Sequence, residues 1–263
     1  MNEPFRNVCK TTRGRSSLIA IALAVTILLP AKSAWTSEEQ TGENASNPLS
    51  KGRNTDLRYQ YFDLVDGSER HDTFIDGAFM ATDKLKIKYE FHYWATDVTG
   101  RSEHDWEKFV LKPIYFPKEG VLGTWKYRLA LGLEWTLDAN NDDKGIGSGS
   151  DQLSPFLGVA LAPRRGTTLI PLVQQFLSYS GNDVNTTSLR LIALQVLPND
   201  FWLKPDLKLP IEWENDNAIP ATLEVQFGKH VSDSLAVYID GLAGIGGDRP
   251  YDYGVGLGIR FKY

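Results

Sequence analysis

The chain has 263 residues, a formal net charge of −5, a single cysteine and 42% hydrophobic residues. One cysteine excludes a disulfide framework, and a mildly acidic chain with no basic stripe excludes nucleic acid as a partner. No CxxC or HExxH motif is present, so the sequence points to no metal ligand set and no cofactor.

The opening stretch MNEPFRNVCKTTRGR carries Arg6, Lys10, Arg13 and Arg15 against one acid, Glu3. The apolar run SSLIAIALAVTILLP and the small residues of AKSA follow. A basic head, a short apolar middle and small residues at the cut predict a secretory signal peptide over 1–34, cleaved after Ser33 or Ala34. The run falls short of the roughly 20 residues of a spanning helix. Cys9 precedes it and leaves with the signal, so the exported chain carries no thiol. Residues 35–55, polar and poor in branched apolar side chains, predict a flexible periplasmic tail.

Beyond position 34 no stretch is long and apolar enough to cross a membrane as a helix. Residues 56–263 instead alternate with period two. In KLKIKYEFHYWA, Leu85, Ile87, Tyr89, Phe91 and Tyr93 alternate with Lys86, Lys88, Glu90, His92 and Trp94. In WKYRLALGLEWTLD, Trp125 to Leu137 alternate with Lys126, Arg128, Ala130, Gly132, Glu134, Thr136 and Asp138. FWLKPDLKLPIEWE sets Leu203, Leu207, Leu209, Ile211 and Trp213 against Lys204, Asp206, Lys208, Glu212 and Glu214. The final YDYGVGLGIRFKY sets Tyr251, Tyr253, Val255, Leu257, Ile259, Phe261 and Tyr263 against Asp252, three glycines, Arg260 and Lys262. Weaker strands are expected near 56–65, 72–80, 105–116, 151–162, 167–179, 186–197, 220–229 and 234–245, those at 167–179 and 186–197 being ambiguous in phase. The expected fold is all-β: one transmembrane antiparallel barrel of about 12 strands, with 10–14 allowed.

A barrel this wide cannot fill its interior with apolar side chains, so the apolar face belongs to lipid and the polar face to the lumen. The expected lumen residues are Lys86, Lys88, Glu90, His92, Lys126, Arg128, Glu134, Lys204, Asp206, Lys208, Glu212, Arg260 and Lys262, with the large Trp94, Trp106, Trp202 and Tyr238 on the same face. Trp125, Trp135, Trp213, Tyr251, Phe261 and Tyr263 form the expected aromatic girdles. Ten residues separate Trp125 from Trp135, which at a 40° tilt is roughly 25 Å of rise, the height of the apolar band.

With the amino terminus in the periplasm, the acidic connections, such as DANNDDKGIGSGSD and ENDNAIP, face outward. Bases precede acids along several strands, which predicts a lumen with a negative mouth and a positive inner half; a ladder of ion pairs plugging the barrel is the alternative. The loop DANNDDKGIGSGSD is not an EF-hand, because Asp143 stands where that motif needs glycine and Gly149 where it needs glutamate. No serine stands in a catalytic motif, so an enzyme is not expected.

LRYQYFDLVDGSE, PLVQQF, WENDN and GIGGDRPYDYGVGLGIRF resemble one family of outer-membrane porin-like β-barrels, known as phenol-degradation meta-pathway or transporter proteins. The resemblance implies the outer membrane of a Gram-negative bacterium and passive transport of small solutes, aromatic or other nutrient compounds among them. A plugged structural or lipid-interacting barrel is the alternative, with a lipid-modifying enzyme more distant. The partners it implies are outer-membrane lipid and lipopolysaccharide, and the barrel-assembly machinery, read through a last strand ending in Phe261 and Tyr263.

Overall fold

A computed structural model of the chain describes residues 46–263. The expected signal peptide and residues 35–45 lie outside the described residues. Alternating sequence becomes strand throughout: β1 (Asn54–Leu64), β2 (Glu69–Thr82), β3 (Leu85–Thr96), β4 (Glu103–Tyr115), β5 (Glu119–Leu122), β6 (Trp125–Asp138), β7 (Ser150–Arg164), β8 (Thr167–Gly181), β9 (Asn185–Val196), β10 (Phe201–Glu212), β11 (Ala221–His230), β12 (Leu235–Ile245) and β13 (Tyr251–Lys262). β4 and β5 share one place in the sheet, since both pair with β6, through Tyr115↔Leu131 and Glu119↔Arg128. Pro117, which has no N–H for the ladder, lies in the break between them.

Paired strands are antiparallel throughout, and β1 also pairs with β13, Asp56 facing Arg260. The result is a closed barrel of twelve places with no free edge. The loop end carries residues 65–68, 97–102, 139–149, 182–184, 213–220 and 246–250, the longest connection among them, while the terminal end carries the remaining turns and the start of β1.

Burial separates the two faces. Leu257 is 55% exposed and Ile239 61% on the outside, whereas Asp56 and Asp206 are 0% and 1% exposed inside. An apolar outer belt of this kind has no protein layer over it among the described residues, and it is the surface a bilayer solvates.

Three expectations change. The register of β3 and β4 slips where His92 pairs with Lys108 but Tyr93 pairs with Trp106, leaving Glu107 as the extra residue of a bulge. Trp106 therefore turns outward, 55% exposed, and Glu107 takes the inner face. A second irregularity pairs Asp63 with Tyr253 but Leu64 with Tyr251. It turns Tyr251 out of its expected girdle and into the barrel, against Phe62 and Leu242.

The third change concerns the tail. Residues 46–53 are fastened inside the terminal end, with Ser46, Leu49 and Ser50 all buried. Leu49 joins an internal apolar cluster of Ile114, Phe116, Ala130, Phe156, Ala160, Ile170 and Ile192. These side chains come from β4 and β6 to β9, which explains the ambiguous phase there: the strands β7 to β9 are apolar on both faces because one face meets the inserted segment.

In lipid with brominated acyl chains, a chain whose only tryptophan is Trp135 should show strongly quenched fluorescence, and one whose only tryptophan is Trp202 should not. Equal quenching of the two would show that the inside-outside assignment is wrong.

Candidate functional site

The barrel lumen collects the polar faces of β1 to β4, β6 and β9 to β13, and its chemistry follows from how those faces meet. Near the terminal end, Asp56 of β1 lies beside Arg260 of β13, whose Nη2 and Nε donate to it at 2.6 and 2.9 Å. Tyr238 Oη and Asn54 Nδ2 donate to the same carboxylate at 2.7 and 2.8 Å. Arg260 also reaches Ser46 Oγ at 2.5 Å, so the barrel seam and the inserted segment share one node.

Higher up, Arg58 donates to Asp240 at 2.7 Å and to Glu224 at 3.4 Å. Lys204 stands 3.6 Å from Glu224. Gln226 links Asp240 to Trp202 through bonds of 3.0 and 3.2 Å. Arg190 grips Asp206 with two nitrogens. Lys112 pairs with Glu134 at 2.6 Å and with Glu90 at 3.4 Å. Two glycines let aromatic rings lie flat on the wall. A Cβ at Gly228 would come within 2.2 Å of Trp202, and one at Gly258 within 2.2 Å of Tyr238.

The expected lumen residues distribute as follows. Lys86 is buried and donates to the Ser50 and Pro48 carbonyls of the inserted segment, at 2.7 and 3.3 Å. Arg128 bonds the Leu49 carbonyl at 3.2 Å and Glu119 at 2.8 Å. Lys88 lies 3.8 Å from Glu90, and His92 bonds Asp72 at 3.0 Å. Lys262 donates to His230 at 3.3 Å near the terminal rim. Lys208 stays on the wall of β10 near Arg190 and Asp206. Glu212 accepts from Asn215 in the loop that follows it, and Lys126 is exposed at the start of β6. Of the expected girdle, Trp125, Trp135, Trp213, Phe261 and Tyr263 are exposed on the outside. Trp135 and Trp213 direct their indole N–H groups to Tyr179 and Thr187.

Ion pairs, the alternative to a charge separation by depth, link the strands across the lumen. Bases do precede acids along single strands, and several charges meet an opposite one on another strand, as Asp56 meets Arg260 and Lys112 meets Glu134. The lumen therefore holds a ladder of ion pairs. Sequence reading missed half of it, namely Asp56, Arg58, Asp72, Lys112, Arg190, Glu224 and Asp240. Their signal was present in the even-numbered positions of the weaker strands.

The loop between β6 and β7 uses its acids internally. Asp138 accepts from the backbone N–H groups of Asn140, Ser148 and Gly149. Lys144 donates to Asp105 at 2.6 Å, which holds its ammonium above the usual lysine range. His71, His92 and His230 hydrogen-bond Tyr59, Asp72 and Lys262.

No family model and no curated protein matches the sequence. Solved structures do match in fold. The NanC porin aligns with TM-score 0.60 at 10% identity, covering 80% of this chain and all of that one. An outer membrane channel from Pseudomonas putida F1 aligns with TM-score 0.60 at 10% identity over 87% of this chain and all of its own. The KdgM porin aligns with TM-score 0.55 at 9% identity over 80% and 99%. Outer membrane phospholipase A from Escherichia coli has the weaker TM-score of 0.50 at 12% identity, over 80% and 92%. At such identities the likeness establishes a shared porin-type barrel fold, on which both channels and an enzyme occur.

Replacing Arg58 by alanine would leave the buried Asp240 and Glu224 carboxylates without their shared cation. The expected loss is about 3–5 kcal/mol of stability, read as a lower urea midpoint in detergent. Gly258→Leu should cost about 1–3 kcal/mol by displacing the Tyr238 ring.

Proposed function

We propose that this chain is a passive channel for small solutes in the outer membrane of a Gram-negative bacterium, with residues 46–53 as a removable obstruction of its terminal end. The observation that carries this reading is what occupies that end. Residues 46–53 belong to no strand, yet Ser46, Leu49 and Ser50 are buried there. Their attachment includes side-chain contacts to backbone carbonyls from Lys86 and Arg128, the Arg260–Ser46 bond, the Lys51–Glu119 ion pair and one apolar anchor, Leu49. Such contacts can be released without breaking the sheet. The two porins and the channel that share the fold support the same reading.

The resemblance to the phenol-degradation meta-pathway barrels adds aromatic compounds to the candidate solutes. One neighbouring KdgM structure is a complex with disordered oligogalacturonate, which adds acidic saccharides. A second reading, a structural barrel that never conducts, is favoured by the density of ion pairs across the lumen. The outward loops then face the lipopolysaccharide layer, and the last strand serves the assembly machinery.

Single-channel recording of the refolded chain in a planar bilayer tests the proposal. The chain lacking 46–53 should conduct more than the full exported chain, and Lys86→Ala should open more often than wild type. Silence of all three would rule out a channel and leave the structural barrel.

A further inference from the structure

Bulges cluster beside functional sites, where they re-aim a side chain, and the bulge in β4 does this at one place in the lumen. By turning Trp106 outward it brings Glu107 to the inner face, beside His92 of β3 and Asp72 of β2. All three residues are more than nine-tenths buried. One ligand atom from each lies within 4.8 Å of the others. His92 Nδ1 is 3.0 Å from Asp72 Oδ2 and 3.7 Å from Glu107 Oε2.

We propose that Asp72, His92 and Glu107 form a binding site for a divalent transition-metal ion of the zinc class. Ligand atoms around a tetrahedral zinc stand roughly 3.4 Å apart, so both histidine–carboxylate pairs already fit to within about 0.5 Å. A second observation points the same way. Glu107 Oε2 is buried and has no hydrogen-bond partner, while Lys108 occupies the other oxygen at 2.9 Å. An unsatisfied buried carboxylate oxygen is costly, and a bound cation removes that cost. The remainder of the pocket fits as well. Glu90 Oε2 lies 3.5 Å from His92 Nε2, the position of the outer carboxylate that orients a metal-bound histidine. The Phe74 ring stacks on the imidazole at 4.4 Å and 14°, fixing its plane. One nitrogen and two carboxylates make an ordinary donor set for zinc, manganese or iron(II), which would leave a fourth position for a water. Strand alternation alone conceals this site, because the in-register reading puts a tryptophan where the carboxylate stands.

The test is titration of the chelator-stripped, untagged exported chain in detergent with Co(II), followed by displacement with Zn(II). Visible absorption bands should saturate at one ion per chain and vanish as zinc is added. His92→Asn and Glu107→Gln should each weaken binding about 10-fold or more, since even outer partners of a metal site cost that much. His71→Asn, on the outer face beside Tyr59, should change nothing. Heat-dependent gel mobility reports whether each variant is folded. Should His92→Asn fail that check, wild-type affinity against pH decides instead, because a metal must displace the imidazole proton and its binding must weaken as pH falls. The proposal is overturned by the absence of bands in wild type, by affinity retained in a folded Glu107→Gln variant, or by affinity that ignores pH.

Discussion

A barrel of twelve places is wider than its own wall side chains can fill, and that constraint organises the rest of the molecule. Closing the ring satisfies every strand's backbone partners and removes the edges, but it leaves a bore. Three materials occupy it. Aromatic rings lie across glycines, as Trp202 does at Gly228 and Tyr238 at Gly258. Charged side chains reach across strands to one another. The segment before β1 turns back and enters from the terminal end.

These fillers divide the lumen into two kinds of wall. β7 to β9 contribute Phe156, Ala160, Ile170 and Ile192, which pack with Leu49 of the inserted segment. The arc from β10 round to β3 contributes most of the ion pairs, joined by Lys112 of β4, Glu134 of β6 and Arg190 of β9. Arg58 shows why this arc is interdependent. It neutralises Asp240 and Glu224, Glu224 also faces Lys204, and Gln226 hands Asp240 on to Trp202. Removing one member exposes its partners to the full penalty of burial. The segment at 46–53 touches both walls, through Leu49 on one side and the Arg260–Asp56 node on the other, so its release would loosen both.

Strand rhythm made most of this legible. The period-two alternation of β3, β6, β10 and β13 carries both the fold and the assignment of faces, and the twelve expected strands all appear with small shifts of boundary. What stayed hidden has two physical origins. Alternation assumes one residue per step, so it fails at a bulge; Trp106 and Tyr251 both exchange faces at such an irregularity. Pairing across the lumen joins residues remote in sequence, Asp56 with Arg260 or Arg58 with Asp240, and a single strand's charge order says nothing about its partner's. Polarity misled at 46–53 for a related reason. A segment with one large apolar side chain, Leu49, looks like solvated tail until the cavity that receives it exists.

The same reasoning weighs the bulge in β4. An in-register strand would put Trp106 inside, where its bulk would help fill the bore at no electrostatic cost. The chain instead inserts a residue, disrupts the ladder beside His92 and buries a carboxylate with one oxygen unpartnered. A packing requirement alone favours the tryptophan. Lys108 compensates for only part of Glu107, and the oxygen left over is the one directed at His92 and Asp72. A wall that gives up filling volume for an incompletely neutralised acid beside an imidazole is arranged for a cation that arrives from outside the chain.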